Sequence, residues 1–320
     1  QFVMQSTASH SGKLTAGTLE IGGNLTQAGA NYYNFCTSGS HTVILNGTEK
    51  QTVSINDNSR NYSRFNNLKI TNTSADGVDF VRVAYVVGNL YNTETPITND
   101  FNIHVPTSMV FADNEWNHNI RFVENRTLSD DLHIGGAAVF DGGTFDLNGH
   151  TMTVDSYVNL WGTTLNINKG QLLIAGDFNF GTAGYSNGRI NMKSADDYIL
   201  VNGNMMWYSY YSHNGNFTAG TLEVKGDFTE KYYRHGYTDN FAPSGSHKVT
   251  LSGEGLQTVY FDRTESRFNI LEIQNYSDEG VVFKTTVTIG ELIDNGCNVT
   301  FANGERSGWT LEEDETIEGD

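Results

Sequence analysis

Ser9 to Thr26 reads SHSGKLTAGTLEIGGNLT and Ser212 to Thr229 reads SHNGNFTAGTLEVKGDFT, 11 of 18 positions being identical at an offset of 203 residues. The match continues beyond both stretches. Ser38-Gly39-Ser40-His41 returns as Ser244-Gly245-Ser246-His247 at offset 206, and Phe65-Asn66 returns as Phe268-Asn269 at offset 203. The differences keep side-chain class: Ile21 becomes Val224, Leu25 becomes Phe228 and Asn24 becomes Asp227. Self-similarity at a long fixed period is the mark of a stacked repeat architecture.

Inside that period the unit is a short apolar-x-apolar strand. Phe145 and Leu147 lead into Asn148-Gly149, and Leu165 and Ile167 into Asn168-Lys169-Gly170. Similar pairs start at Ile190, Leu222, Val249 and Leu271, giving successive spacings of 20, 25, 32, 27 and 22 residues. Period-two alternation places both apolar residues of a pair on one strand face. Gly and Asn directly after supply the left-handed backbone of a sharp corner. Strands recurring at this distance fit coils of a parallel β-solenoid, whereas an antiparallel sandwich calls for hairpins every 8 to 12 residues or so. The expectation is an all-β, elongated parallel β-solenoid of about 12 to 14 unequal coils over 1–311, some 60 Å long. Super-repeat copies would occupy 1–203 and 204–311, the second incomplete, with 312–320 an acidic tail or linker. Gln1 falls opposite Asn204, so the chain is expected to start inside a period.

Composition agrees. Thirty-four glycines against 3 prolines, with 18% charged residues, do not sustain long helices. A net charge of −18 opposes nucleic acid and anionic membrane as partners. No run of 18 apolar residues offers a spanning helix. Cys36 and Cys297 stand 261 residues apart, several coils by this reading, and are expected to be unpaired.

The strings SHSGKLTAGTLEIGGNLTQ, SGSHTVILNG and FNNLKITN resemble β-solenoid repeats of large secreted or surface, adhesin-like proteins of anaerobic Gram-positive bacteria. The resemblance covers Ser9 to Phe80 and Ser212 to Phe283 well and the middle loosely. It implies a secreted or cell-surface module, neighbouring modules in a longer chain, and an adhesive or carbohydrate-associated role without catalysis.

His10 and His41 recur as His213 and His247 and read as polar corners bonded to backbone. Asp57, Asp130-Asp131, Asp141, Asp146 and Asp196-Asp197 read as turn residues, with calcium the weaker alternative and no other cofactor implied. A β-helix polysaccharide lyase or glycoside hydrolase is the alternative function. It would need carboxylates joined by a basic cluster, and Arg121, Arg126, Arg189 and Lys193 are scattered.

The aromatic residues carry the functional expectation. Met205 to Tyr211 reads MMWYSYY, and Tyr232-Tyr233, Tyr237 and Phe241 follow in the next coil, while the first copy reads FVMQSTA from Phe2 and has Tyr32-Tyr33 and Phe35 in the corresponding loop. With Met206 taken as buried, Trp207 would face solvent. Trp207, Tyr208, Tyr210, Tyr211, Tyr232, Tyr233 and Tyr237 would then form one exposed patch, absent from the first copy and poor in charge. Such a patch suits a neutral polysaccharide or a host or cell-surface protein. Aromatic stacking between coils is the competing reading.

Overall fold

The computed structural model describes all residues except 30, 57–61, 93, 106–110, 112–113, 182–186, 233–236, 238, 302–308 and 312–320. The fold is all-β, with parallel sheets stacked as a β-solenoid of about 12 turns. The acidic tail at 312–320 lies outside the described residues.

Two compact units make up the chain, Gln1–Arg126 with Leu132–Val139, and Thr127–Asp131 with Phe140–Asp320. The expected super-repeat boundary at 203/204 therefore falls inside the second unit. In the first unit, Phe2–Met4, Leu25–Gln27, Gln51–Ile55, Val78–Phe80 and Ile97–Thr98 form one sheet in that order. Thr18–Ile21, Thr42–Leu45, Asn67–Ile70 and Leu90–Asn92 form another. Between Glu94 and Asn119 the described residues hold the short strand Ile97–Thr98, a 3-10 turn at Asp100–Asn102, and strands Ile103–Val105 and Glu115–Trp116.

Parallel pairing in exact register turns each apolar position into a column. In the second unit Leu172, Ile199, Leu222, Val249 and Leu271 lie on successive rungs, and Ile174, Val201, Val224, Leu251 and Ile273 run beside them. All ten are buried, as the alternation requires. In the first unit Leu19, Val43 and Leu68 make the equivalent column. Leu19, unlike its repeat equivalent Leu222, is only half-buried, because Thr18–Ile21 is the end strand of its sheet and has a neighbour on one side only.

The corners behave as the sequence suggests. Asn148 and Gly149 take φ of 50° and 83°, and Asn168 and Lys169 take 47° and 66°. Left-handed backbone at a lysine needs support. Asp197 supplies it, 2% exposed, accepting the Lys169 N–H at 2.6 Å, the Lys193 N–H at 2.6 Å and the Ser194 N–H at 3.0 Å. Cys36 is buried, Cys297 is half-buried, and both are free thiols.

Candidate functional site

The strand Met205–Trp207 sets the geometry of the aromatic region. It pairs in register with Phe178–Phe180 on one side and Phe228–Glu230 on the other. Both neighbours point their first and third residues inward, so Met205 and Trp207 do the same and Met206 faces out. Trp207 is therefore 0% exposed, and its expected place in a solvent-facing patch is corrected. Its ring stacks on Phe180 and meets Phe217 and Phe241 edge-on at 5.4 and 4.9 Å. Its indole N–H donates to the Asn240 carbonyl at 3.0 Å.

The tyrosines do reach the surface, by different amounts. Tyr237 is 56% exposed, Tyr208, Tyr210, Tyr211 and Tyr232 are half-buried, and Tyr233 lies outside the described residues. Tyr210 and Tyr211 meet edge-on at 5.3 Å, and the Tyr237 N–H donates to the Tyr210 carbonyl at 3.1 Å. The Arg189 guanidinium covers the Tyr211 ring at 4.9 Å. Tyr232 is anchored separately. Its N–H donates to Asp262 Oδ2 at 2.9 Å and Arg263 lies over its ring at 3.9 Å, while Lys231 Nζ sits 4.1 Å over Tyr260. The surface is thus not poor in charge: cations cap Tyr211, Tyr232 and Tyr260.

Nor is the first unit without such a surface. Tyr32, 59% exposed, stacks on Tyr62 at 5.4 Å, and Tyr33 meets Tyr62 edge-on at 5.2 Å. The same loop, Ala28 to Thr37 in one unit and Lys231 to Pro243 in the other, carries exposed tyrosines in both.

Below each loop the same polar cluster recurs. Asn34 donates to the Ser6 and Ala28 carbonyls at 3.1 and 2.6 Å. Asn240 donates to those of Ser209 and Lys231, the repeat equivalents, at 3.3 and 3.2 Å. Ser63 and Ser266 hydroxyls accept the N–H of Phe35 and Phe241 at 3.3 and 3.4 Å. Sequence reading missed this cluster, although Asn34/Asn240 and Ser63/Ser266 align at the offsets already found.

Of the repeated histidines, His213 and His247 are fully buried. His213 Nδ1 lies 3.1 Å from the Tyr211 carbonyl, and His247 packs edge-on against Phe217 at 5.0 Å. Burial pushes both imidazoles down to about 3. The expected backbone bond is present at His213, whereas His247 is chiefly an aromatic filler of the core.

An open groove of about 470 Å³ crosses the second unit, lined by Asp146, Asn166, Asn168, Asn191, Lys193 and Asp197 among others. Its polar groups are engaged with one another: Asn191 donates to Asn166 Oδ1 at 2.7 Å and Asn168 to Asp146 Oδ1 at 3.0 Å. It is an amide ladder that ties coils together. Of the other carboxylates, Asp131 accepts the Thr151 N–H at 2.8 Å, and Asp57 lies outside the described residues. Among the described residues no group of three or more His, Cys, Asp or Glu side chains is placed to hold a metal ion.

No family model matches the chain, and no curated protein or solved structure matches it.

Proposed function

We propose that this chain is a non-catalytic module of a secreted or cell-surface bacterial protein, which engages neutral carbohydrate through the tyrosine-bearing loops of its two units. The observation that carries this reading is the contrast between a repeated scaffold and a varied loop. Asn34/Asn240, Phe35/Phe241 and Ser63/Ser266 recur beneath loops that differ in length by three residues, from offset 203 to 206. Those loops differ in sequence but both present exposed tyrosines. Packing does not require Tyr32 or Tyr237, each more than half exposed. Tyrosine rings offer flat apolar faces to sugars, and their hydroxyls remain in water. Arg189 and Arg263 hold the rings they cover in one orientation, which lowers the entropy lost on binding.

The test is a glycan array probed with the intact chain, run beside a reducing-end assay on the glycans retained. Retention of neutral cell-wall or plant glycans without release of new ends is expected. Turnover of any polysaccharide would replace this reading with that of a β-helix lyase or hydrolase. Absence of any retained glycan would leave the loops to a protein partner and refute the carbohydrate assignment.

A further inference from the structure

The groove across the second unit is built on one outward column. Asp146, Asn166 and Asn191 are the last residues of strands Thr144–Asp146, Thr164–Asn166 and Arg189–Asn191, which pair in register. Phe145, Leu165 and Ile190 fill the core from the same strands, so alternation turns the polar column to solvent. Asn168, Lys193 and Ser194, from the corners that follow two of these strands, complete the lining.

The bonds that tie the coils use only part of this set. Asp146 Oδ1 accepts from the Asn148 N–H at 2.8 Å and from the Asn168 side chain at 3.0 Å, while Oδ2 has no partner among the described residues. Asn166 Oδ1 accepts from Asn191 at 2.7 Å, and the Asn166 NH2 has no partner among them. The Asn191 and Asn168 side-chain carbonyls are open in the same way. Lys193 is exposed and pairs with no described carboxylate, because both oxygens of the nearby Asp197 are turned to backbone N–H groups.

From Asp146 to Lys193 the open groups therefore run acceptor, donor, acceptor, donor. Hydroxyls meet such a series, since each one donates a bond and accepts others. One open carboxylate and one open ammonium favour neither a polyanion nor a polycation. Neighbouring strands lie about 4.8 Å apart, close to the advance of one sugar residue along an extended chain. The groove also adjoins the tyrosine surface. Arg189 stands two residues before Asn191 on the same strand face, and its guanidinium covers the Tyr211 ring at 4.9 Å.

We propose that this groove binds a neutral glycan chain laid across successive rungs, its hydroxyls meeting Asp146, Asn166, Asn191 and Lys193 and one end resting at Tyr211. This assignment rests on the tyrosine loops being the carbohydrate surface, and it adds that the ligand is a chain of several residues rather than a terminal sugar. Each polar bond formed in exchange for water contributes little, so affinity grows with the number of rungs spanned.

The test is calorimetric titration of cello-, xylo-, manno- and laminari-hexaose, and of the matching disaccharides, into the intact chain, with melting followed in each variant. The wild type is expected to bind at least one hexaose about tenfold or more tighter than its disaccharide. Asn166→Ala and Lys193→Met should each weaken that hexaose about fivefold or more and leave the disaccharide unchanged. Lys193→Met spares the Asn191–Asn166 and Asn168–Asp146 bonds, so it reads binding apart from folding. Hexaose affinity unchanged in both variants, but lost in Tyr211→Ala/Tyr237→Ala, would overturn the groove and leave the tyrosine surface standing. Affinity lost in the groove variants and kept in Tyr211→Ala/Tyr237→Ala would uphold the groove and refute the tyrosine surface. Failure of the wild type to bind any of the hexaoses would overturn both.

Discussion

Trp207 lies flat against Phe180, ring centroids 4.3 Å apart and planes 22° from parallel. The contact joins adjacent rungs of one sheet and makes the largest buried side chain of the second unit a core ring. The loop above depends on it, because the Trp207 indole bonds the carbonyl of Asn240, the residue at the centre of the polar cluster.

Trp207→Ala should therefore destabilise the protein by about 3–5 kcal/mol, the cost of an emptied aromatic site, measured by urea unfolding. A change below about 1 kcal/mol would mean the ring is not in the core.

The aliphatic columns give a cleaner comparison of inside and outside. Leu222 is 1% exposed, between Ile199 and Val249. Leu222→Ala should cost about 2–5 kcal/mol. Lys225→Ala, just past the same strand at a half-buried position, should stay within about 0.5 kcal/mol. Equal losses at the two positions would contradict the column assignment.

Asp196 and Asp197 are adjacent carboxylates with opposite fates. Asp197→Ala strips three backbone N–H groups of their acceptor and unsupports the left-handed corner at Lys169, at a cost of about 3 kcal/mol. Asp196→Ala, at an exposed position, should be neutral within about 0.5 kcal/mol. A calcium role would instead show as metal-dependent melting lost in either variant.

How far could this be read from the chain alone? The solenoid was legible because the 203-residue offset and the apolar pairs report register, and register defines a parallel stack. The inward face of Met205 to Tyr211 was not legible from that stretch, since Met205, Met206 and Trp207 are all apolar and alternation is silent. Only the neighbouring strands, Phe178–Phe180 and Phe228–Glu230, decide its parity. The cations over Tyr211, Tyr232 and Tyr260 are not legible in the sequence because Arg189, Arg263 and Lys231 reach them from other coils. Glu230 stood in plain view opposite Gln27, but an LTQ-to-FTE change reads as surface drift until the third residue is known to face inward.

Acid should weaken the fold through His213 and His247. Both are held neutral with values lowered to about 3, so the unfolded chain binds more protons between that value and the ordinary imidazole range. Stability present above the ordinary range is lost as pH falls through it toward 3. Glu230, whose carboxyl burial raises to about 7, acts in the opposite sense over part of this window, which is why variants are compared with the wild type. His247→Phe should lessen the acid slope by roughly 1.4 kcal/mol per pH unit between about pH 4 and 6. An unchanged slope would mean that His247 is solvated in the folded state.

The central claim is that the loop tyrosines form the binding surface and the repeated coils only carry it. The most direct measurement is calorimetric titration of an array-selected neutral glycan into the wild type, Tyr32→Ala/Tyr33→Ala, Tyr211→Ala/Tyr237→Ala and the four-fold variant, with melting followed in each. Native melting with binding weakened at least tenfold in one double variant and abolished in the four-fold variant is predicted, a stacking ring typically contributing about 1.4 kcal/mol or more. Unchanged affinity in a natively folded four-fold variant would contradict the account.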